Sequence, residues 1–264
     1  MNSTNGVHGA AVHAEMENDN KLKGCPYMAG ATTAPVGGYK LKADESITLY
    51  SNKGCPWAMR TWLAMEEANA EYTLTEIDLQ NKPAWYKDIN PLTKVPAIKY
   101  GDKVIYESAI TTEFVADLFP QTEMMPENAL ERAQMRLFVD RFMVYVGSIC
   151  SDAILKGAEG QQATLAGIRK LLPFLDNVGP FYGHARKFTV AELQVAPFVV
   201  RLYAAGANGF LGDMYTTLTT DSEFHRFHGW ASLIISRESV KKIFDPQLHV
   251  KKWRTSLEAA QSNK

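Results

Sequence analysis

The sequence predicts a small α/β domain over residues 45–120 followed by an all-α domain over residues 129–264. Three observations predict this. "SITLYS" (46–51) is β-branched and aromatic, and a turn carries it into a helix-compatible stretch and then a second β-rich stretch. Two further β-rich segments meet at Gly101-Asp102, a turn-forming pair. After Pro120 the strand signal stops, while apolar residues at helical spacing continue to the end of the chain.

The elements follow in order. Residues 1–44 are rich in Gly, Ala, Asn and Thr and read as a flexible extension. The first strand runs into "NKGC", and Pro56 suits the first position of a helix because its missing N–H costs nothing there. Ala58, Met59, Trp62 and Leu63 supply that helix with an apolar face, and Glu66-Glu67 with a wet one. "AEYTLTEIDL" (70–79) is the second strand, and a strand–helix–strand order implies a right-handed crossover and a parallel pair. "QNKPAWYKDINP" is a loop with room for one helical turn after Pro83. Residues 95–108 form a hairpin, and "SAITTEFVADLFP" places Ile110, Phe114, Val115 and Leu118 on one face of a helix ending at Pro120.

Residues 121–128 read as a linker. In the second half, Leu130, Ala133, Leu137, Phe138, Phe142 and Tyr145 stripe one helix, and Leu165, Ile168, Leu172 and Leu175 another. Thr189 and Glu192 have the spacing of a capping box, with Phe188 placed as its hydrophobic staple. Two or three more helices fit between residues 221 and 261.

Composition narrows the function. Lys+Arg 28 against Asp+Glu 29 leaves a net charge of −1, so no nucleic-acid partner is expected. No apolar run reaches the roughly 20 residues that span a bilayer, and the first 20 residues lack a secretory pattern. Three cysteines, at 25, 55 and 150, are too few and too scattered for a disulfide framework, so the expected compartment is the cytoplasm.

The chemistry concentrates at "GCPWAM" (54–59). Cys55 sits where a strand ends and a helix begins, and the unpaired N–H groups and positive dipole end of a helix favour a thiolate. Lys53 and Arg60 add positive field, both expected to be solvated. The alternative is a buried, inert cysteine. Ala58 stands where a dithiol oxidoreductase has its resolving cysteine, so a nucleophilic Cys55 needs an external thiol, the abundant one being glutathione. Cys25, in "GCPYMA" (24–29), lacks both a preceding strand and a periodic helix. It reads as a tail cysteine, with an axial haem thiolate as its only chemical alternative.

"LYSNKGCPWAMRTWL", "NKPAWY", "NPLTKVPAI", "YESAITTEFVADLFP" and "FTVAELQVAPFVVRL" together resemble the glutathione transferases, and among them the omega class, over about residues 46–250. The resemblance implies a thioredoxin-like N-terminal domain joined to a helical one, glutathione as cosubstrate, no metal, and a homodimer. It implies catalysis by Cys55 and a glutathione site of Lys82 for the glycyl carboxylate, Val95 and a cis-Pro96 for the cysteinyl backbone, and Glu107 with Ser108 for the γ-glutamyl end. It also matches Arg201 and Trp230, and more weakly Tyr145, to a second-substrate pocket between the domains. Taken singly, each has a plainer reading: Lys82 as a surface charge, Glu107-Ser108 as a helix start, Arg201 as an ion pair, Trp230 as core.

The function so implied is glutathione-dependent thiol transfer or reduction on a small electrophilic or glutathionylated substrate: deglutathionylation, dehydroascorbate reduction or aryl-adduct reduction. Trp57 departs from the omega pattern, which has Phe there. "CPWA" resembles the xi-class glutathionyl-hydroquinone reductases, although Met59 and "ESAIT" do not follow them. The same residues are also compatible with a non-catalytic ligand-binding module that keeps the motif, and with a hydroxyl-dependent enzyme using Tyr50 or Ser51.

Overall fold

Strand β1 (Ile47–Ser51) is apolar on both faces and therefore occupies the interior of the sheet. In the computed structural model, which describes residues 46–147, 150–175, 180–184 and 187–262, it pairs in parallel with β2 (Thr73–Glu76) and antiparallel with β3 (Ala97–Tyr100). β3 pairs in turn with β4 (Lys103–Tyr106), giving the order β2-β1-β3-β4. The parallel pair and the hairpin at Gly101 are those the sequence predicts. Gly101 takes a φ of 55°, where an L side chain is disfavoured. The expected extension, residues 1–44 with Cys25, lies outside the described residues.

The two-residue period of the strands divides the core. Ile47, Leu49, Ile98 and Tyr100 face helices α1 (Pro56–Glu67) and α3 (Ser108–Leu118) in the larger cluster. Tyr50 and Ala97 face the other way, onto Tyr86 of the short helix α2 (Tyr86–Ile89) and onto Val95.

After Leu118 come helices only: α4 (Ala129–Phe142), a π-helical turn at Met143–Gly147, α5 (Asp152–Leu155), α6 (Ala158–Leu175), α7 (Val190–Ala207), α8 (Gly212–Thr220), α9 (His225–Ser236), α10 (Glu238–Ile243) and α11 (Pro246–Ser262). All described residues belong to one compact unit. α7 is its axis, buried along nearly its whole length. Its N-terminus is closed by Glu192, whose Oε2 accepts from the Thr189 N–H (3.2 Å) and hydroxyl (2.8 Å), completing the capping box.

Two helical stripes differ from expectation. Ile110 on α3 is 58% exposed, and Thr111, Thr112, Val115 and Ala116 are buried in its place. On α4, Leu130 and Leu137 are 66% and 51% exposed, while Met135, Phe138, Val139 and Phe142 face the core. The spacing is helical, but the face that packs is rotated from the one the largest side chains suggest.

Polar ties fasten the sheet region to the helices. Glu67 at the end of α1 accepts from Arg237 and Ser239 at the start of α10. Glu66 accepts from Tyr72 and Lys242, each at 2.5 Å. Thr61 and Thr111 hydroxyls meet at 2.6 Å between α1 and α3. Arg60 Nε on α1 donates to the Gln194 carbonyl of α7 at 2.7 Å, and this α1–α7 contact brings Cys55 to the junction of the two regions.

Candidate active site

Asn52 builds the turn that presents Cys55. Its Oδ1 accepts from the Gly54 N–H at 2.9 Å, its Nδ2 donates to the Ile77 carbonyl at 2.8 Å, and its own carbonyl accepts from the Cys55 N–H at 3.0 Å. Lys252 of α11 lies over this turn, its Nζ in the space that a Cβ at Gly54 would take. Cys55 is the N-cap of α1, extended (φ −92°, ψ 119°) and half-buried, and its side chain makes no capping hydrogen bond. The sulfur thus sits at the positive end of a 12-residue helix.

The groove beside Cys55 has a volume of about 630 Å³, within the usual range of about 300–1,000 Å³ for small-ligand sites. Lys82, Val95, Pro96, Glu107 and Ser108 all line it with Cys55, so residues from four separate segments converge on one wall. The Val95–Pro96 peptide is cis. The loop before it is clamped from below, the Lys94 carbonyl accepting from the Tyr86 hydroxyl and from Asn90 Nδ2, both at 2.8 Å. Burial raises the Tyr86 phenol above its ordinary range, so it stays a donor. Val95 is thereby held just before the start of β3.

Glu107 has φ 73° and ψ 117°, a strained backbone for a residue with a side chain. It turns the chain from β4 into α3 so that Ser108 becomes the first residue of that helix. Lys94, also on the groove, places a second lysine in its wall with Lys82. Its sequence signal is weak, a lone charge inside "NPLTKVPAI", and it is not among the expected site residues.

Arg60 corrects an expectation: it is not solvated but 3% exposed, and it lines the groove. Burial lowers its guanidinium to about 10. Tyr50 and Ser51 are buried and line neither this groove nor the cavity next to it.

That neighbouring cavity, about 290 Å³, lies on the other side of Trp57. Pro56, Ile154, Phe198, Leu202 and Trp253 make it apolar, and Arg201 is its one cation among the described residues. Arg201 donates from Nη1 to the Pro197 carbonyl at 2.7 Å, while its buried Nη2 has no partner. Burial lowers Arg201 to about 10, with Cys55 acting in the opposite sense. Trp230 is not part of this cavity. It is fully buried among Phe138, Phe142 and Phe227, and its Nε1 donates to Glu192 at 3.1 Å. The packing of α9 turns its indole into the core. Tyr145 lies against Arg141 and Lys170 instead.

Cys150 also lines the apolar cavity. Part of it is accessible, but the protein packed around it pushes the thiol up to about 12. Among the described residues no group of three His, Cys, Asp or Glu could hold a metal ion, and no helix is long and apolar enough to cross a membrane.

Comparison with known proteins bears on the family and the fold. Residues 54–118 match the family model described as glutathione S-transferase, N-terminal domain. The chloroplastic glutathione S-transferase DHAR3 of Arabidopsis thaliana is 30% identical over 155 residues, 58% of this chain and 57% of that protein. Glutathione S-transferase omega-1 of Mus musculus is 27% identical over 159 residues, 58% of this chain and 65% of that protein. The alignments therefore span less than two thirds of these curated relatives. Solved structures match further: glutathione transferase Omega 1C of Trametes versicolor is 31% identical with a TM-score of 0.73, covering 81% of this chain and 97% of that one. Omega 2S of the same organism, in complex with 2,4-dihydroxybenzophenone, is 31% identical with a TM-score of 0.68, covering 83% and 99%. With a thioredoxin-like sheet, a helical second half and this likeness along nearly the full length of a solved omega enzyme, the chain belongs to the glutathione transferase superfamily as an omega-like member.

Proposed function

We propose that the protein is a glutathione-dependent thiol transferase whose nucleophile is the Cys55 thiolate. The observation that carries the reading is that Cys55, at the N-terminus of α1, opens onto the same groove as Val95-Pro96, Glu107-Ser108 and Lys82. In this reading glutathione lies along that groove. Its cysteinyl backbone pairs with Val95, its γ-glutamyl carboxylate accepts from Ser108 and the α3 N-terminus, its ammonium meets Glu107, and its glycyl carboxylate meets Lys82.

The reaction then runs in two exchanges. The Cys55 thiolate attacks the glutathionyl sulfur of a mixed disulfide, forming a Cys55–glutathione disulfide and expelling the substrate thiolate. A second glutathione, as thiolate, attacks the glutathionyl sulfur held on Cys55, releasing oxidised glutathione and restoring the Cys55 thiolate. No resolving cysteine is required, in keeping with Ala58 at that position.

The electrophile then occupies the apolar cavity beyond Trp57. The lining of that cavity suits a flat aromatic group, and the unpartnered Arg201 Nη2 suits an oxygen acceptor on it. The aromatic ketone bound by the Trametes Omega 2S enzyme supports this choice. Trp57 favours one variant of the same chemistry, reduction of a glutathionyl-hydroquinone, which turnover with such an adduct distinguishes.

The mechanism needs free Cys55 and reduced glutathione, which supports a cytoplasmic location. We also read the protein as a homodimer. Ile110 on α3 and Leu130 and Leu137 on α4 are exposed apolar residues on adjoining helices, linked by the Glu113–Arg136 pair at 2.6 Å. Replacing both leucines by Glu is expected to halve the sedimenting mass.

Mass spectrometry of the protein mixed with oxidised glutathione tests the core of the reading. One adduct on Cys55 is expected, and none on Cys150, whose thiol is pushed up to about 12. Cys55→Ser should abolish disulfide-reductase turnover. Retained turnover in that variant, or adduct formation elsewhere with Cys55 unmodified, sinks the proposal.

A further inference from the structure

Arg60 carries a positive charge into the interior with only neutral company. Nε donates to the Gln194 carbonyl at 2.7 Å, Nη1 to Ser108 Oγ at 3.3 Å and Nη2 to Met143 Sδ at 3.1 Å. The guanidinium stands over the rings of Trp57 and Phe198, 4.5 and 5.4 Å from their centroids. No carboxylate is among these neighbours. A buried ion without an opposite charge is costly to a fold, more so than one that is paired. Among the described residues, it is the groove Arg60 lines that gives an opposite charge access to it.

Ser108 lines that groove beside Arg60. It is buried to 8% exposure, it begins the 11-residue helix α3, and its Oγ already accepts from Arg60. A hydroxyl has one hydrogen to give, and one lone pair is taken by the guanidinium, so its own O–H must be directed elsewhere. Arg60 thereby turns Ser108 into a donor facing the groove, and its charge polarises that donor.

We propose that Arg60 is a positioning residue for the α-carboxylate of the γ-glutamyl end of glutathione, acting through Ser108 and serving as the distant counter-ion of that carboxylate. This rests on the glutathione reading above. It assigns the buried arginine a specific part of the ligand, beyond its evident mechanical role of tying α1 to α7 and the π-turn.

The two roles separate by calorimetry on the full-length chain with two ligands. One is glutathione; the other is 4-aminobutanoyl-cysteinylglycine, which keeps the amine and thiol but lacks the α-carboxylate. The wild type should prefer glutathione by about tenfold or more, the usual scale of a charge-assisted hydrogen bond. Arg60→Met should reduce that preference to within about twofold while binding the analogue as the wild type does. Arg60→Lys, which keeps the charge but not the fork, should retain part of it. Should Arg60→Met fail to unfold cooperatively, Arg60→Lys is paired with Ser108→Ala. The double variant should then show no greater loss of preference than Ser108→Ala alone, and additive losses overturn the coupling. Equal weakening of both ligands reduces Arg60 to a structural tie and overturns the proposal. So does an undiminished preference in Arg60→Met. A wild type that binds neither ligand overturns the glutathione reading itself; binding without an Arg60-dependent preference overturns this inference alone.

Discussion

Trp57 meets Phe198 edge-on, with ring centroids 5.2 Å apart, and this contact separates the groove beside Cys55 from the apolar cavity containing Arg201. Trp57 is the residue that lines both spaces. It is 43% exposed, so its ring is a wall rather than part of the core. Arg60 beneath it and Phe198 at its edge fix that wall in place. Trp57→Ala should merge the spaces. Turnover of a small mixed disulfide should change less than about twofold, whereas kcat/KM for a bulky aryl adduct should shift by about fivefold or more. Steady-state kinetics with both substrate sizes checks this, and a parallel loss for both would show that Trp57 only supports Cys55.

Glu192 gathers four donors in the helical half. It is fully buried and accepts from the Tyr182 N–H at 2.7 Å, from Thr189 through both N–H and hydroxyl, and from Trp230 at 3.1 Å. Glu192→Ala leaves these donors stranded and should cost about 3 kcal/mol or more by chemical denaturation. Burial holds the carboxyl above its ordinary range, against the pull of those donors. Its folded form therefore binds a proton more tightly than the unfolded form. The associated stability is fullest below the ordinary carboxylate range and declines as pH rises through the raised value. Glu192→Gln should remove that decline, seen as a flatter stability curve above the ordinary carboxylate range.

These two residues also mark what the sequence could reveal. The capping box at Thr189–Glu192, the turn at Gly101, the proline opening α1 and the position of Cys55 between strand and helix are local chemistry, written in contiguous residues. Burial in three dimensions is not. Arg60 carries a charge that normally stays wet, and only the packing of α1 against α7 and the π-turn reveals that it is enclosed. Trp230 fits a pocket by resemblance, but the donor demand of a buried indole is met by Glu192, 38 positions away. Leu130 and Leu137 share a face at i, i+7, and nothing in their spacing says whether that face meets this chain's core or something outside it. Lys94 stands next to the more conspicuous Val95-Pro96, and an isolated lysine carries no pattern that separates a groove wall from a solvated surface.

Glu107 stores backbone strain at the groove, with φ at 73°. Positions of this kind cost of order 1–3 kcal/mol and are retained where function needs them. Glu107→Gly relieves that conformation, so the variant should be more stable by about 1 kcal/mol. It also removes the carboxylate that faces the glutathione ammonium in the proposed site, so its affinity for glutathione should fall by about tenfold. Thermal unfolding and calorimetry on one preparation read both effects. A destabilised variant would show that Glu107 holds α3 in place, and unchanged affinity would remove it from the site.

His249 on α11 is 3% exposed, stacks on Phe244 at 4.9 Å, and has a buried Nε2 without a partner. Burial, with Arg201 and Lys252 nearby, lowers its imidazole to about 3, and Asp245 opposes this only weakly. The folded state therefore carries neutral His249, while the unfolded chain takes up a proton near pH 6.5. For a depressed value the sign is fixed: the stability contributed by His249 is present above about pH 6.5 and is lost as pH falls toward 3. At about 1.4 kcal/mol per pH unit, the loss between about pH 7 and about pH 5 is about 2 kcal/mol. His249→Phe keeps the stacking, removes the unpaired nitrogen and abolishes the proton uptake. Urea denaturation at the two pH values should show the wild type losing about 2 kcal/mol more than the variant. Equal losses would mean that His249 is protonated in the folded protein, and that its ring nitrogen reaches a partner when charged.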